Sequence, residues 1–314
     1  MFTIGIDMGG TATKIGVVDE QGKVLHKTSL KTGDYPVFAD YVDDLYKVLT
    51  PLIDEVGGIE KIKGIGAGLP NGNYYEGTIE FAPNLPWKNK VPFAQLVSEK
   101  FGVPCTVTND ANAAAIGEMT YGAAKGMKDF IMITLGTGVG SGIVINGQVV
   151  YGHDGFAGEL GHLVMVRENG RQCGCGRKGC LEAYASATGV AKTAREMLQK
   201  DNVSSKLQSI ELNNITSKDV FDAAMQGDAL AKEVFVFTGE ILGKAFADFV
   251  NFSAPEAIIL FGGLSKAGDL LMNPIKETFE ASVLAIWKGK VKLLFSQLLE
   301  DDAAVMGAAS LAIK

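Results

Sequence analysis

Short apolar runs, typical of buried strands, alternate along the chain with longer segments in which apolar residues recur at helical spacing. We predict strands at Phe2–Asp7, Ile15–Val18 and Val24–Ser29, and then a helix at Val37–Val56. Further strands are predicted at Ile62–Leu69, Cys105–Thr108, Phe130–Thr134, Ile143–Ile145 and Ala257–Phe261. Further helices are predicted at Val91–Phe101, Ser186–Lys200, Thr216–Met225, Asp228–Phe252, Leu270–Leu284 and Ala303–Ile313, with a polar loop at Asp201–Asn214. Strands interleaved with helices predict the α/β class.

Three glycine-rich loops follow predicted strands. Met8–Lys14 and Leu135–Gly142 each join two short strands and contain threonine, and Gly262-Gly263 ends the strand Ala257–Phe261. Backbone N–H groups in such loops can bind phosphate oxygens, and an aspartate beside them, here Asp7, can hold a hydrated Mg²⁺. For the first loop alone, a plain glycine turn is an equally good interpretation.

The first two loops belong to a weak internal duplication. Aligning Ile4 with Ile131 also aligns Ile6 with Ile133, Gly9 with Gly136 and Val17 with Val144. Two hairpins with matching glycine-threonine tips predict two similar α/β domains that face each other across a cleft.

Length and charge narrow the class of protein. The chain has 314 residues, of which 47% are hydrophobic, so two folded domains are expected. A net charge of −7 without a long basic run argues against binding nucleic acid or an anionic membrane surface. No basic leader opens the chain and no apolar run is long enough to span a membrane. We therefore expect a soluble, cytoplasmic protein that acts on a small molecule.

Cysteine and histidine are clustered in one segment of the chain. His162, Cys173, Cys175 and Cys180 fall within a short stretch whose thiols are separated by glycines. Three thiolates and one imidazole match a closed zinc site, and glycine allows the tight turns that bring them together. The alternative is disulfides or scattered buried thiols, but the fourth cysteine, Cys105, lies far away in the sequence. The pattern favours a metal in a reducing compartment.

Two polar residues outside the predicted strands, Asp110 and Asn84, are candidates for catalysis or ligand binding. Asp110 follows the strand Cys105–Thr108, and ligands of open α/β sheets bind at the carboxyl ends of strands. It is therefore a candidate general base, although the local pattern alone favours a helix N-cap. Asn84 lies in a segment with two prolines, where it either presents its amide to a ligand or forms an Asx turn.

Together these motifs resemble the ROK family of sugar kinases, within the actin-like ATPase fold, and are most similar to its bacterial glucokinase members. The resemblance covers nearly the whole chain. Its most specific part is Gly158-Glu159-Leu160-Gly161-His162 followed by the cysteines and Glu182. The other matching segments are Asp7–Thr11 with Lys14, Leu135–Gly140, Gly262-Gly263 and Asn109–Ala114.

The resemblance implies roles for individual residues. Asp110 is the expected base, and His162, Cys173, Cys175 and Cys180 are the expected ligands of a structural zinc. The expected contacts with sugar hydroxyls are Asn84, Asn109, Glu159, His162 and Glu182. The expected contacts with ATP and Mg²⁺ are Asp7, Gly9, Gly10, Thr11, Lys14, Thr137, Gly138, Gly262 and Gly263. Where the family usually has glycine after a proline, this chain has Asn71.

The expected architecture is a small α/β domain of residues 1–118 plus 300–314 and a larger α/β domain of residues 119–299 that carries the zinc segment. The expected assembly is a homodimer or homotetramer. The expected reaction is ATP-dependent phosphorylation of a hexose, most simply glucose to glucose 6-phosphate.

Other functions stay open at this point. The sugar could instead be N-acetylglucosamine, N-acetylmannosamine, mannose or fructose. A sugar-responsive repressor of the same family would need a helix-turn-helix ahead of Asp7, and the sequence shows no room for one. A non-catalytic sugar-binding protein or an actin-like filament protein would not need Asp110 together with both phosphate loops.

Overall fold

The structure, a computed structural model, describes residues 1–200, 204–298 and 300–313. The strands are β1 (Phe2–Met8), β2 (Thr13–Val18), β3 (Val24–Leu30), β4 (Ile62–Gly68), β5 (Gly72–Asn73), β6 (Thr78–Ile79), β7 (Cys105–Thr108), β8 (Phe130–Leu135), β9 (Val139–Ile145), β10 (Gln148–Val149), β11 (Ala257–Phe261) and β12 (Lys292–Phe295). The helices are α1 (Phe38–Glu55), α2 (Phe93–Phe101), α3 (Asp110–Tyr121), α4 (Glu182–Ala185), α5 (Ala187–Lys200), α6 (Ser217–Met225), α7 (Ala229–Ser253), α8 (Asp269–Ser282) and α9 (Glu300–Ser310).

The two larger sheets repeat one strand order. The first sheet runs β3-β2-β1-β4-β7 and the second runs β10-β9-β8-β11-β12. In the first, β1 pairs antiparallel with β2 and parallel with β4, and in the second, β8 pairs parallel with β11. Each strand of the first hairpin thus has a counterpart in the second sheet, which confirms the duplication inferred from Ile4 and Ile131.

The chain divides into two compact units, here called unit 1 and unit 2. Unit 1 comprises residues 1–128, 142–158 and 296–314, and unit 2 comprises residues 129–141 and 159–295, so the division passes through β9. The predicted domains, 1–118 plus 300–314 and 119–299, stay a prediction, because a domain is defined by independent folding and a unit by contacts.

Unit 1 has a core formed by β1, β2, β4 and β7 with α1 and α2. Its fully buried side chains include Ile4, Ile6, Tyr41, Leu45 and Phe93. The C-terminal helix α9 packs on β1, β4 and α3. A Cβ atom on Gly307 would lie 2.3 Å from the carbonyl oxygen of Ala113, so glycine is needed for this close approach.

Unit 2 has a separate core in which α7 is the central helix. This helix lies against α5, α6 and α8, and its buried residues include Phe235, Leu242 and Phe246. The apolar strands β8 and β11 complete the core with Ile131, Ile133, Ile258 and Leu260. Asp228 caps α7 by accepting a hydrogen bond from the N–H of Ala231, at 2.9 Å.

Several predicted elements differ from the observed ones at their ends. The helix predicted at Val91–Phe101 begins at Phe93, after Pro92 at the N-cap, and Val91 instead pairs with Ile79. The returning strand predicted at Ile143–Ile145 begins at Val139, because glycine in its first half hides the strand pattern. The short strands β5, β6, β10 and β12 were not predicted, since two to four residues carry too little periodicity. Residues 201–203 of the predicted loop lie outside the described residues, and its remainder contains 3₁₀ turns at Lys206–Ser209 and Leu212–Asn214.

Among the residues described, no helix is both long and apolar enough to cross a membrane.

Candidate active site

In unit 1, strand register brings the predicted acidic residues to one edge of the sheet. Strands β1, β4 and β7 are parallel, and Asp7, Gly68 and Thr108 are aligned across them. Asp110 follows β7 by two residues, and the Cα atom of Asp110 would lie 3.5 Å from a Cβ atom built on Gly68. The carboxyl ends of the strands therefore place Asp7 and Asp110 near each other.

Asn109, and not Asp110, caps the helix that follows. The Oδ1 atom of Asn109 accepts a hydrogen bond from the N–H of Asn112 at 2.7 Å, and α3 begins at Asp110. The Asp110 carboxylate accepts a hydrogen bond from the adjacent N–H of Ala111 at 2.8 Å. The helix-cap interpretation of Asp110 is wrong, and Asp110 is an exposed residue of unit 1.

The environment at this edge favours the protonated forms of the Asp7 and Asp110 carboxyl groups over the charged forms. The pKa of Asp7 is raised to about 6, mainly by loss of hydration on burial and in smaller part by the charge of Asp110, against the lowering effect of Lys14 on the facing strand. Crowding by protein atoms also raises the pKa of Asp110, against the hydrogen bond from Ala111, even though its side chain reaches solvent. Two neighbouring carboxylates with weakened hydration form a site suited to a cation or a proton.

This environment predicts that Asp7 lowers the stability of the fold at neutral pH. A folded-state pKa raised from 3.8 to about 6 means that protonated Asp7 stabilises the fold at low pH. That stabilisation is lost as the pH rises through about 6. Asp7→Asn should therefore raise the free energy of unfolding by up to about 2 kcal/mol at pH 8, and by much less near pH 4.

Urea unfolding of the wild type and Asp7→Asn at the two pH values measures this effect. Asp19→Asn is the control, because Asp19 lies in a surface turn where it accepts the N–H groups of Gln21 and Lys23. A stability gain for Asp7→Asn that is equal at both pH values would contradict the assigned cause.

The first glycine loop of unit 1 lies against the segment that carries Asn84. The N–H of Gly9 donates to the carbonyl of Ala12 at 2.9 Å, which closes the loop, and Thr11 is exposed at its tip. A Cβ atom on Gly10 would lie 2.7 Å from the carbonyl oxygen of Asn84. Glycine at this position lets the predicted phosphate loop and the predicted sugar contact approach each other.

The second glycine loop, in unit 2, lies against Glu182. The Oε2 atom of Glu182 accepts a hydrogen bond from the N–H of Val139 at 3.0 Å, and a Cβ atom on Gly138 would meet that oxygen at 2.3 Å. The start of α5 holds the other side of the loop, because the N–H of Ala187 donates to the carbonyl of Gly136 and the hydroxyl of Thr188 to that of Thr137.

The third glycine loop borders a cavity within unit 2. Gly262 has a φ of 103°, and a Cβ atom on it would lie 2.6 Å from the carbonyl oxygen of Leu135, so the ends of β8 and β11 approach closely. The cavity beside them has a volume of about 490 Å³, within the range of small-ligand sites. Its lining residues are Leu135, Gly136, Ala187, Ser217, Lys218, Phe221, Asp222, Phe235, Gly263, Leu264, Lys266 and Ala267.

The predicted metal ligands converge in unit 2. Ligand atoms of His162, Cys173, Cys175 and Cys180 all lie within 4.8 Å of one another. The Sγ atoms of Cys175 and Cys180 are 3.7 Å apart, and the Sγ atom of Cys173 is 3.7 Å from Nδ1 of His162. A tetrahedral zinc with Zn–S bonds of about 2.3 Å requires ligand atoms about 3.6–3.8 Å apart. The thiols are free rather than paired in disulfides, so the geometry fits zinc.

His162 connects this cluster to Glu159. Its Nδ1 atom points to Cys173, whereas its Nε2 atom lies 3.9 Å from a carboxylate oxygen of Glu159. On the other side of the cluster, the Sγ atom of Cys173 lies 3.5 Å from Oε1 of Glu182. A metal here would therefore order both predicted sugar-binding carboxylates.

Arg171, which sequence reasoning missed, anchors the cluster segment. Its side chain, 9% exposed, donates to Oε2 of Glu196 at 2.6 Å and to the hydroxyl of Thr193 at 2.9 Å. Its guanidinium carbon lies 4.5 Å from the ring centre of Tyr184. No local motif distinguishes this arginine, because all of its partners lie farther along the chain.

The repeated sheets with glycine loops at the ends of their strands define an actin-like ATPase fold, as the sequence predicted. Residues 3–314 match the ROK family, and the chain belongs to it.

Two glucokinases and one solved structure illustrate the similarity. The chain is 38% identical to a glucokinase of Halalkalibacterium halodurans, covering 97% of this chain and 92% of that protein. It is 36% identical to a glucokinase of Thermotoga maritima, covering 98% and 96%. The crystal structure of a ROK family glucokinase from Streptomyces griseus in complex with glucose and AMPPNP is 34% identical, with a TM-score of 0.79 and 99% of each chain covered.

Proposed function

We propose that the protein is a glucokinase that transfers the γ-phosphoryl group of ATP to glucose. The observation that carries the proposal is the exposed residue Asp110 beside Asp7, at the carboxyl ends of parallel strands. Near-full-length similarity to glucokinases supports it, as does the relative whose structure holds glucose and AMPPNP.

Asp110 acts as the general base in this proposal. Its carboxylate accepts the proton of a glucose hydroxyl as that oxygen forms a bond to the γ-phosphorus, and the bond from phosphorus to the β–γ bridging oxygen breaks to release ADP. A raised pKa makes the carboxylate a better proton acceptor. Asp7 would hold Mg²⁺ through water, and the ion would neutralise charge on the phosphates. Lys14, opposite Asp7, would contribute positive charge to the same phosphates.

The glycine loops hold the nucleotide in this proposal. The backbone N–H groups of Gly9, Gly10, Thr11, Thr137 and Gly138 would donate to phosphate oxygens. The cavity bordered by Gly263 would accept the adenine and ribose, because it combines apolar walls such as Phe221 with polar groups such as Ser217.

Five polar side chains contact the sugar in this proposal: those of Asn84, Asn109, Glu159, His162 and Glu182. Zinc on His162 and the three cysteines would be structural, since four protein ligands leave no open position for substrate. Free thiols in such a site fit a reducing compartment such as the cytoplasm. A homodimer or homotetramer remains an expectation.

A sugar panel tests the function. ADP release with Mg-ATP should show the highest kcat/KM for glucose among glucose, mannose, fructose, N-acetylglucosamine and N-acetylmannosamine. A preference for an N-acetyl sugar would support the proposed kinase activity but show that glucose is not the substrate. Absence of turnover with every sugar, together with retained sugar binding, would favour the sugar-responsive regulator or binding protein instead.

A further inference from the structure

Phe81, three residues before Asn84, has a backbone conformation that bulky residues avoid. Its φ is 50°, in the left-handed region, while its side chain is 67% exposed. Such a conformation persists only when surrounding groups hold it, and it is found often at ligand-binding loops. Burial of so exposed a ring gains little, so other contacts must hold the backbone of Phe81.

Asn71 provides such contacts from the start of the neighbouring hairpin. Its Nδ2 atom donates to the carbonyl of Glu80 at 3.0 Å and lies 3.5 Å from the carbonyl oxygen of Phe81. Its own carbonyl accepts the N–H of Glu80 at 3.1 Å. Asn71 has a φ of 51°, which asparagine tolerates better than most residues, so it can stand where glycine is usual. One exposed asparagine thus holds the two residues that lead into the Asn84 loop.

The loop beyond Phe81 has a short exposed tip. Ala82 and Leu85 are buried, and the N–H of Leu85 lies 3.4 Å from the carbonyl of Ala82, so the exposed residues between them are Pro83 and Asn84. The Phe81 carbonyl belongs to the peptide that enters this tip, so its orientation sets the direction of the chain at Asn84. On its other side, Asn84 meets Gly10 of the first glycine loop.

We propose that Asn71 is a positioning residue for sugar binding: its amide fixes the carbonyls of Glu80 and Phe81 and thereby the place of Asn84. This inference rests on the proposed function, in which Asn84 contacts the sugar. In this role Asn71 acts through Asn84 and does not itself contact the sugar.

Two substitutions at Asn71 test the role of its amide. Asn71→Gly suits the positive φ but removes the amide, and Asn71→Asp keeps the size but replaces the donor by an acceptor. Both should raise the KM for glucose by about three- to ten-fold, the range for one hydrogen bond, with kcat and the KM for ATP nearly unchanged. Asn169→Gly is the matched control, because Asn169 is exposed and also has a φ of 51°. It should leave all three constants and the melting temperature unchanged.

A double-mutant cycle with Asn84→Ala tests whether Asn71 acts through Asn84. Asn84→Ala alone should raise the KM for glucose, and adding Asn71→Gly should raise it little further. The positioning role is wrong if the two substitutions raise the KM for glucose by factors that multiply, or if Asn71→Gly alone leaves this KM unchanged. It is also wrong if Asn71→Gly raises the KM for glucose and the KM for ATP equally. In each of these cases the proposed sugar contact of Asn84 stands. If Asn84→Ala leaves the KM for glucose unchanged, the proposed sugar contact is wrong, and the role of Asn71 falls with it.

Discussion

Asp110→Asn is expected to lower kcat for glucose phosphorylation by a factor of about 10² to 10⁴, with little change in glucose binding. Asparagine keeps the shape of the side chain and can still accept the hydrogen bond from Ala111, but it cannot take a proton. The loss should therefore fall on the chemical step. Steady-state kinetics give kcat, and calorimetric titration of glucose gives the binding constant separately.

Asp19→Asn serves as control for this substitution, because Asp19 is an aspartate of unit 1 whose bonds lie within its own turn. It should retain wild-type kcat. Near-full turnover of Asp110→Asn would show that another group accepts the proton. A loss of glucose binding as large as the loss of kcat would instead make Asp110 a substrate contact.

Cys180→Ser is expected to remove zinc from the protein and with it nearly all activity. Cys180 is fully buried, and its Sγ atom is one of the four ligand atoms of the cluster. The free energy of zinc binding in a structural site is folding free energy, about 10–16 kcal/mol in zinc-finger peptides near pH 7. Without the ion, the segment that contains Glu159, His162 and Glu182 loses its main cross-link, so the KM for glucose should rise as kcat falls.

Zinc analysis of protein purified without added metal should show about one zinc per chain in the wild type and far less in Cys180→Ser. Cys105→Ala is the matched control, since Cys105 lies in β7 and outside the cluster, and it should keep its zinc. A strong chelator should reproduce the loss of activity in the wild type. Full activity after complete removal of zinc would overturn the structural role of the metal.

The parts of the candidate site whose residues lie close together in the chain could be predicted from the sequence. His162, Cys173, Cys175 and Cys180 lie close together in the chain and are linked by glycines, so their types and spacing indicate a metal site before any folding is known. The glycine loops could be placed for the same reason, because each follows a short apolar run.

Some roles depend on which of two neighbouring residues begins a helix, or on contacts between residues separated in the sequence. These roles could not be assigned from the sequence alone. The local pattern favoured Asp110 as the cap of α3, and only the point at which the helix begins gives the cap to Asn109. The roles of Asn71 and Arg171 had no signal in the sequence, because their partners are backbone carbonyls and side chains brought close by folding.

The sequence by itself determined the alternation of strands and helices, the duplicated hairpins and the members of the Cys/His cluster, since periodicity and spacing are properties of neighbouring residues. Only the tertiary structure decided that Asp7 and Asp110 share one sheet edge, that Glu182 joins the cluster to the second glycine loop, and that Asn71 donates to the carbonyl of Glu80. The physical reason is that pKa shifts, close glycine contacts and strained backbone angles arise from groups far apart in the chain, whose separation folding alone sets.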